Sequence, residues 1–395
     1  MEDIKQGYKQ TDIGVIPKDW EVTEIEDICK SIVRGPFGGA LKKEYFVDSG
    51  FKVYEQRNAI YQNVNIGRYY IDSNKFSTLK RFEINYKDFI VSCSGTIGRI
   101  YQIPKQYKKG IINQALLKLT VDEVKCDTKY FYYVFVSNEF QQKIIDSTQG
   151  GAMKNLVGMP IFKKTPFELP KSLTEQSAIA TVLSDTDTLI AALNKKIAKK
   201  HQIKQGAMQQ LLSGKKRLPG FSGEWVENTI GDALSIRHGR DQKQVECVNG
   251  KYPILGTGGI IGRTNTPLYS KESVLIGRKG TIDKPYYFET PFWTVDTLFY
   301  SEINSGYDAK YLFYIFNLID WYLYNEASGV PSLNAKVIES IKINIPKNKS
   351  EQTAIAQILT DMDNEIAQLE KERDKYKEIK AGMMQVLLTG KVRLV

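Results

Sequence analysis

Few residues in this sequence have the types and spacing that bond-making chemistry requires. Gly256-Thr-Gly-Gly-Ile-Ile-Gly262 invites comparison with a dinucleotide-binding turn. Position 261 holds Ile where that turn needs glycine, and the polar run Arg263-Thr-Asn-Thr-Pro267 follows where its helix should begin. No Gly-Lys-Ser or Gly-Lys-Thr stands at the spacing of a phosphate-binding loop. His201 and His238 are the only histidines, too few to build a His-based metal site. Cys29, Cys93, Cys126 and Cys247 form no Cys-x-x-Cys pair, which argues against metal knuckles and a disulfide framework and fits a reducing cytoplasm. Glu123-Val-Lys125 has the tail of a nuclease signature without its upstream Pro-Asp. Neither Asn-Pro-Pro-Tyr nor Asp-Pro-Pro-Tyr, which an adenine methyltransferase should carry, occurs. The expectation is a chain that is not an enzyme and holds no metal or cofactor of its own.

Residues suited to recognition are plentiful. Lys and Arg number 55 against 45 Asp and Glu, a formal net charge of +10 that suits a polyanionic partner. Arginine and lysine bind phosphates, while Arg, Asn and Gln can read base edges through paired hydrogen bonds. In the first half, Arg34, Lys42 and Lys43 flank the glycine-containing run Arg34-Gly-Pro-Phe-Gly-Gly-Ala-Leu-Lys-Lys43. Arg57 and Asn58 offer guanine and adenine chemistries side by side. Ser94, Thr96 and Arg99 belong to a small-residue loop after an apolar strand, and Lys154 and Asn155 end a Gly-Gly loop. In the second half the counterparts are Arg237, Arg240 and Lys243; Thr257 and Arg263; Arg278, Lys279 and Thr281; and Asn334. Small residues let backbone approach a groove or phosphate closely. Each cation taken singly also suits a solvated surface. The 23 tyrosines cluster at Tyr69-Tyr70, Tyr130–Tyr133 and Tyr311–Tyr324 with alternating or helical spacing, which reads as core more than as base stacking.

Such residues need elements to position them, and an internal duplication supplies the plan. Thr174-Glu-Gln-Ser-Ala-Ile-Ala-Thr-Val-Leu-Ser-Asp returns as Ser350-Glu-Gln-Thr-Ala-Ile-Ala-Gln-Ile-Leu-Thr-Asp, without a gap, through Gly214-Lys-Lys-Arg-Leu218 and Gly390-Lys-Val-Arg-Leu394. Roughly half the paired positions are identical, far beyond chance over such a length. Ile179, Leu183, Ile190, Leu193 and Ile197, and in the second copy Ile355, Leu359, Met362, Ile366 and Leu369, fall at three- and four-residue steps. Ser172…Glu175 and Asn348…Glu351 have capping-box spacing, and Gly214 and Gly390 stand where helices should stop. Each helix of roughly 40 residues would be about 60 Å long and needs a partner; its own duplicate is the nearest one. Met208, Leu211, Met384 and Leu387 suit either that seam or a docking surface for another protein.

The segments before each helix match more weakly. Trp20-x4-Ile25-x-Asp27 answers Trp225-x4-Ile230-x-Asp232, Gly95-Thr-Ile-Gly98 answers Gly280-Thr-Ile-Asp283, and Phe167-Glu-Leu-Pro170 answers Ile343-Asn-Ile-Pro346. Between these anchors short β-rich runs alternate with Gly, Asn and Pro. No apolar run reaches the roughly 18 residues a membrane span needs, and from acidic Met1-Glu2-Asp3 no signal peptide is expected.

With its Trp20 region, Gly-Thr-Ile-Gly loop, closing proline, Glu-Gln-x-Ala-Ile-Ala helix start and Leu-Leu-x-Gly-Lys helix end, the chain resembles, over nearly its whole length, the specificity subunit of type I restriction–modification enzymes. The expected fold is α+β: two mixed α/β target-recognition domains separated by two long helices that pair as an antiparallel coiled coil, with internal pseudo-two-fold symmetry. The expected division is 1–171 and 217–347 for the recognition domains and 172–216 and 348–395 for the spacer helices. The resemblance implies a non-catalytic partner of double-stranded DNA, of modification subunits that bind S-adenosylmethionine, and of restriction subunits that use ATP and Mg. Each recognition domain would read half of an asymmetric target. A protein-interaction scaffold without a DNA role, or a specificity subunit serving a type II-like fused enzyme, are the other readings of the same plan. Steep loss of DNA affinity with salt separates the first of these from a DNA reader.

Overall fold

The computed structural model describes residues 6–146 and 155–394. The chain divides into two compact units, residues 1–192 with 374–395 and residues 193–373, so each long helix begins in one unit and ends in the other.

In unit 1 the central sheet is formed by β1 (Cys29–Arg34), β2 (Phe89–Ser92), β3 (Ile100–Gln102) and β4 (Leu116–Val121), all antiparallel, in the order β1-β4-β2-β3. Strand β2 is buried at every position because both sheet faces are covered. Phe89 and Val91 pack with Leu117, Leu119 and the helix α1 (Thr128–Val136), while Ile90 and Leu116 turn to a second core with Tyr54 and Ile112. That second core is backed by a small sheet in which Phe51–Tyr54 runs antiparallel to Tyr70–Ile71 and parallel to Gly110–Ile112. The strands Trp20–Glu24 and Pro166–Pro170 pair antiparallel and lead into the long helix α2 (Leu173–Leu211).

Unit 2 repeats this construction. Strands β5 (Leu234–His238), β6 (Ser273–Gly277), β7 (Tyr286–Phe288) and β8 (Leu298–Ile303) take the order β5-β8-β6-β7. Val274, Ile276 and Phe299 face the helix α3 (Ala309–Phe316), and Leu275, Leu298 and Tyr300 face the second core. The small sheet again has a central strand, Tyr252–Gly256, antiparallel to Gly259–Thr264 and parallel to Trp293–Thr294. Trp225–Thr229 pairs with Lys342–Pro346 before the long helix α4 (Lys349–Leu387).

Each unit contains the start of one long helix beside the end of the other, and the two run antiparallel. In unit 2, Lys200 meets Glu365 at 2.6 Å and Lys204 meets Asp363, the partner number falling as the first rises. In unit 1, Lys380 binds Asp187 at 2.6 Å. Lys204 and Lys380 are duplicates of one another, as are Asp187 and Asp363, so the pairing is reciprocal between the copies, as in an isologous contact. Tyr133 and Tyr314 donate to these same aspartates at 2.9 and 2.8 Å, tying helix pair to domain in each unit.

The apolar stripe of each long helix has two uses. Ile179 and Leu183, and their duplicates Ile355 and Leu359, are buried in the domain cores, whereas Leu193, Ile197, Ile366 and Leu369 are buried farther along the helices. Met208 and Leu211 belong to the core of unit 2 and Leu387 to that of unit 1, so these three are internal packing, while Met384, packed against the core of unit 1, is half-buried. The capping boxes form only in part. Ser172 Oγ accepts from the Glu175 amide at 3.4 Å and Asn348 Oδ1 from the Ser350 amide at 2.8 Å. Both glutamate side chains turn inward, 1% exposed. Glu351 takes a two-pronged bond from Arg217 at 2.6 and 2.7 Å, and Glu175 takes the matching pair from Arg393, with the indole N–H of Trp225 and of Trp20 alongside. Stronger partners arriving from the end of the other helix outcompete the local cap.

Candidate nucleic-acid interface

Strand registers decide where the candidate loops emerge. In unit 1, Arg34 at the end of β1 lies opposite Leu117, and Ser92 at the end of β2 lies opposite Leu116, so both strands leave the sheet beside the start of β4. The loops after Arg34 and Ser92 and the turn Asn113–Ala115 therefore share one end of the sheet. Contacts knit them: Gly35 N donates to Leu116 O at 2.9 Å and Cys93 N to Ala115 O at 2.9 Å. A Cβ on Gly35 would lie 1.8 Å from Asn113 O, so only glycine permits this approach. Arg34 is half-buried, its guanidinium 5.9 Å from the Phe37 ring centroid and its Nε without a partner. Burial pushes the Cys93 thiol up to about 12 against the opposing pull of Arg34, which leaves a neutral thiol at this end of the sheet.

The Ser94–Arg99 loop is organised by Ser92, fully buried, whose Oγ donates to Thr96 O at 2.6 Å and accepts from Arg99 N at 3.0 Å. Ser94 is half-buried, and Thr96 and Arg99 project into solvent. Lys42 and Lys43 are exposed, Lys42 with Glu44 at 3.8 Å. Arg57 is exposed, but its neighbour Asn58 is not available to a base. It is 0% exposed, its Oδ1 accepts from Glu55 N at 2.8 Å, and its Nδ2 donates to Asn63 O and Ile66 O at 2.8 and 2.9 Å. Lys154 lies outside the described residues, and Asn155 opens the short strand Asn155–Leu156.

Unit 2 gathers its loops at the corresponding end. His238 and Ile276 both lie opposite Phe299, and Gly277 opposite Leu298 at the start of β8. A Cβ on Gly239 would lie 2.0 Å from Val295 O, the same close approach as at Gly35. Arg240 N donates to Thr294 O at 2.8 Å, Arg278 N to Thr297 O at 2.8 Å, Gly280 N to Pro331 O at 2.9 Å, and Leu333 N to Arg278 O at 2.9 Å. The 239–240, 278–281, 294–297 and 331–333 segments thus form one cluster. Arg240, Lys243 and Lys279 are exposed, and Thr281 is half-buried. Arg278 leans on Asp296, its NH1 donating to the backbone oxygen at 3.1 Å. Arg237 is held by Glu302 at 2.7 Å, which raises its pKa further and offsets its charge. Asn334 caps the helix Ala335–Ser340 by accepting from Lys336 N at 3.0 Å. Thr257 sits at the hairpin turn, its carbonyl accepting from Tyr286 at 2.7 Å. Arg263 is opposite Pro253, three ladder steps from that turn, roughly 10 Å away along the strand. It is exposed, with NH1 3.4 Å from Gly250 O.

Among the described residues, Lys43, Arg57, Arg99, Arg240, Lys243 and Lys279 are exposed cations with no carboxylate within ion-pair distance. Sequence reading missed the two turns that complete each cluster, Asn113–Ala115 and Val295–Thr297, because neither carries a charge pattern. Gly35 and Gly239, at similar distances from Trp20 and Trp225, were the available signal. No group of three His, Cys, Asp or Glu side chains among the described residues could hold a metal ion, and no helix there is long and apolar enough to cross a membrane.

Two repeated units, each offering backbone-approach glycines and cations at one sheet end, define a class of duplicated recognition proteins. The model of the type I restriction modification DNA specificity domain matches residues 17–205 and again 222–381, and the chain belongs to that family. It is 27% identical to the type I restriction enzyme MjaVIII specificity subunit of Methanocaldococcus jannaschii, across 99% of this chain and 98% of that one. It is 24% identical to the putative MjaX specificity subunit of the same organism, across 99% and 97%. The fold is similar to the crystal structure of a type I restriction–modification S subunit from M. genitalium, with TM-score 0.61 and 19% identity, covering 93% of this chain and 96% of that one. The chain is therefore a specificity subunit, the non-catalytic member that serves DNA target recognition.

Proposed function

We propose that this chain reads a two-part, asymmetric DNA sequence, one half through the loop cluster of each unit. The observation that carries the reading is the recurrence of the same sheet-end construction, with unpaired exposed cations, in two units whose loops differ in sequence. Homodimeric readers use a true two-fold to read palindromes; a diverged duplicate reads unlike halves. Lys42, Lys43, Arg57, Arg99, Arg240, Lys243, Arg263 and Lys279 would hold phosphates. Arg34, Ser94 and Arg278 lie near strand ends and Thr96, Thr257 and Thr281 within the loops and turn, and these six would set the shape of the loops or meet base edges. Asn58, Arg237 and Asn334 are committed to internal partners and are left out of the reading set.

In this reading, residues 1–171 and 217–347 act as recognition domains, and 172–216 and 348–395 as the spacer between half-sites about one helical turn, roughly 34 Å, apart. Modification subunits carrying S-adenosylmethionine and restriction subunits using ATP and Mg would supply the chemistry, in the cytoplasm. Single-molecule sequencing of genomic DNA from cells expressing the chain with its cognate modification subunit tests the proposal. A methylated adenine in a two-part motif with a fixed gap is expected. An associated pair of proteins that leaves no such motif would overturn it. Inserting one helical turn within 195–205 should change the tolerated gap.

A further inference from the structure

We infer that Ile261 is a specificity-determining residue of unit 2 that reads the C5 methyl group of a thymine in the major groove. This rests on the proposed DNA-reading function and names the chemistry of one of its contacts.

In unit 2 the strands Tyr252–Gly256 and Gly259–Thr264 form a hairpin with a two-residue turn. Its second strand, Gly259–Thr264, is the edge of a three-stranded sheet. Gly256, Gly258, Gly259 and Gly262 strip it of side chains around the turn, and nothing lies within 4 Å of a Cβ placed on Gly258 or Gly259. The hairpin's first strand is paired on the other side with Trp293–Thr294 at Ile254 and Leu255, so the outer strand and the bare turn are the parts open to a major groove, which admits a β-ribbon. Its ladder is irregular: Leu255 faces Ile260 and Ile254 faces Gly262, which leaves Ile261 as the extra residue of a β-bulge. A bulge re-aims one side chain at the cost of ladder regularity.

The side chain it re-aims is apolar and open to solvent: Ile261 is 53% exposed. Its position is defined by neighbours. Its Cγ2 and Cδ1 lie 3.4 and 3.5 Å from where a Cβ on Gly256 would stand, and the same point is 3.8 Å from Val295 Cγ2. Val295 N donates to Leu255 O at 3.1 Å, and Val295 O is the atom that Gly239 closely approaches. An exposed aliphatic side chain therefore stands within the same loop cluster as Arg240 and Lys279. Cations there would hold the phosphate backbone, and an apolar tip between them has one complementary feature in unmodified DNA, the thymine methyl. Unit 1 has a small sheet of the same strand arrangement, but its antiparallel pairing is confined to Phe51–Lys52 with Tyr70–Ile71 and the helix Gln56–Ile60 follows Phe51–Tyr54 in place of a bare turn, so this contact belongs to the half-site of unit 2 alone.

The test uses the full chain and a randomised library of 30-base-pair duplexes, followed by replacement of each enriched thymine by deoxyuridine, which removes only the methyl. Wild type should enrich a two-part motif and lose about fourfold in affinity when one particular thymine, in one half only, becomes deoxyuridine. Ile261→Ser should bind the thymine and deoxyuridine duplexes equally while keeping the other half of the motif, and Ile261→Val should keep most of the discrimination. An enriched motif in which no thymine replacement matters, or whose discrimination survives in Ile261→Ser, overturns the inference and leaves the DNA-reading function standing. A wild-type chain that enriches no motif overturns both. An Ile261→Ser chain whose mass in solution changes while its DNA motif does not would assign this edge strand to pairing with a second copy and overturn the inference.

Discussion

Replacing Arg217 by methionine should open the junction where the first long helix ends against the start of the second. Glu351 is 1% exposed and Arg217 29%, and the guanidinium fork meets both carboxylate oxygens at 2.6 and 2.7 Å. Methionine keeps the apolar stem but leaves a buried carboxylate with the Trp225 indole N–H at 3.4 Å as its remaining side-chain donor. Removing one partner of a buried pair costs about 3–5 kcal/mol, and the partial exposure of Arg217 places this case at the lower end. A loss of ~3 kcal/mol corresponds to roughly a hundredfold in a local opening equilibrium. Hydrogen exchange read on peptides spanning this junction should speed up by that factor in Arg217→Met. Adding Glu351→Gln removes the stranded charge and should restore exchange to within about tenfold of the parent. Less than a tenfold change in the single variant, or a double variant no slower than the single, would refute the reasoning. The duplicate pair Arg393–Glu175, with Arg393 26% exposed, should behave alike in unit 1.

Gly239→Ala forces a Cβ to within 2.0 Å of Val295 O, so the turn must shift; we expect a loss of about 1–3 kcal/mol by thermal unfolding and loss of one half of the target motif, the other half surviving. Ser92→Ala removes the donor to Thr96 O and the acceptor for Arg99 N, at a cost of about 1–2 kcal/mol, with faster hydrogen exchange confined to residues 94–99. Burial raises the Glu168 pKa, with Lys143 opposing. A raised carboxyl pKa means stability that is present below the unfolded value and lost as pH rises through the folded one. Glu168→Gln should therefore melt higher than the parent at pH 7, and the gap should close as pH falls below the ordinary glutamate range; a gap independent of pH would count against burial as the cause. If the eight cations assigned to phosphates meet them, the logarithm of DNA affinity should fall against the logarithm of salt with a slope of about −7, and Arg240→Gln or Lys279→Gln should each flatten it by about one.

The long helices were legible because their information is local. Three- and four-residue apolar steps, and a duplication that repeats polar as well as apolar positions, need no knowledge of distant chain. The purpose of the repeated polar residues was not legible. Gln176 accepts from Asp127 N at 2.7 Å and donates to Pro170 O at 2.7 Å; Gln352 does the same with Asp308 N and Pro346 O at 3.0 and 2.9 Å. Those bonds join the helix start to the residue capping α1 or α3, some forty to fifty positions away, and no sequence window shows them. Asn58 shows the opposite failure. Its amide chemistry suits adenine, yet burial consumes both ends of it, and type alone cannot distinguish an amide that reads a base from one that closes a loop.

The division of labour between frame and tip bears on why one chain would carry two copies. Both units keep the four-stranded sheet order, the parallel pairing of the small sheet, the Tyr–Asp–Lys tie to the helix pair and the glycine that admits a facing carbonyl. These contacts are mutually dependent: a Cβ at Gly35 or Gly239 moves a turn, and that turn holds the next loop. What differs lies beyond the ends of the strands the two units share, where unit 1 places the helix Gln56–Ile60 and unit 2 the bulged hairpin. Substitutions there disturb few buried contacts, as Ile261 at 53% exposed illustrates, so the tips can change without loss of the fold. A duplicate arranged this way can acquire a second, unlike half-site through its loops while the reciprocal helix contacts stay unchanged.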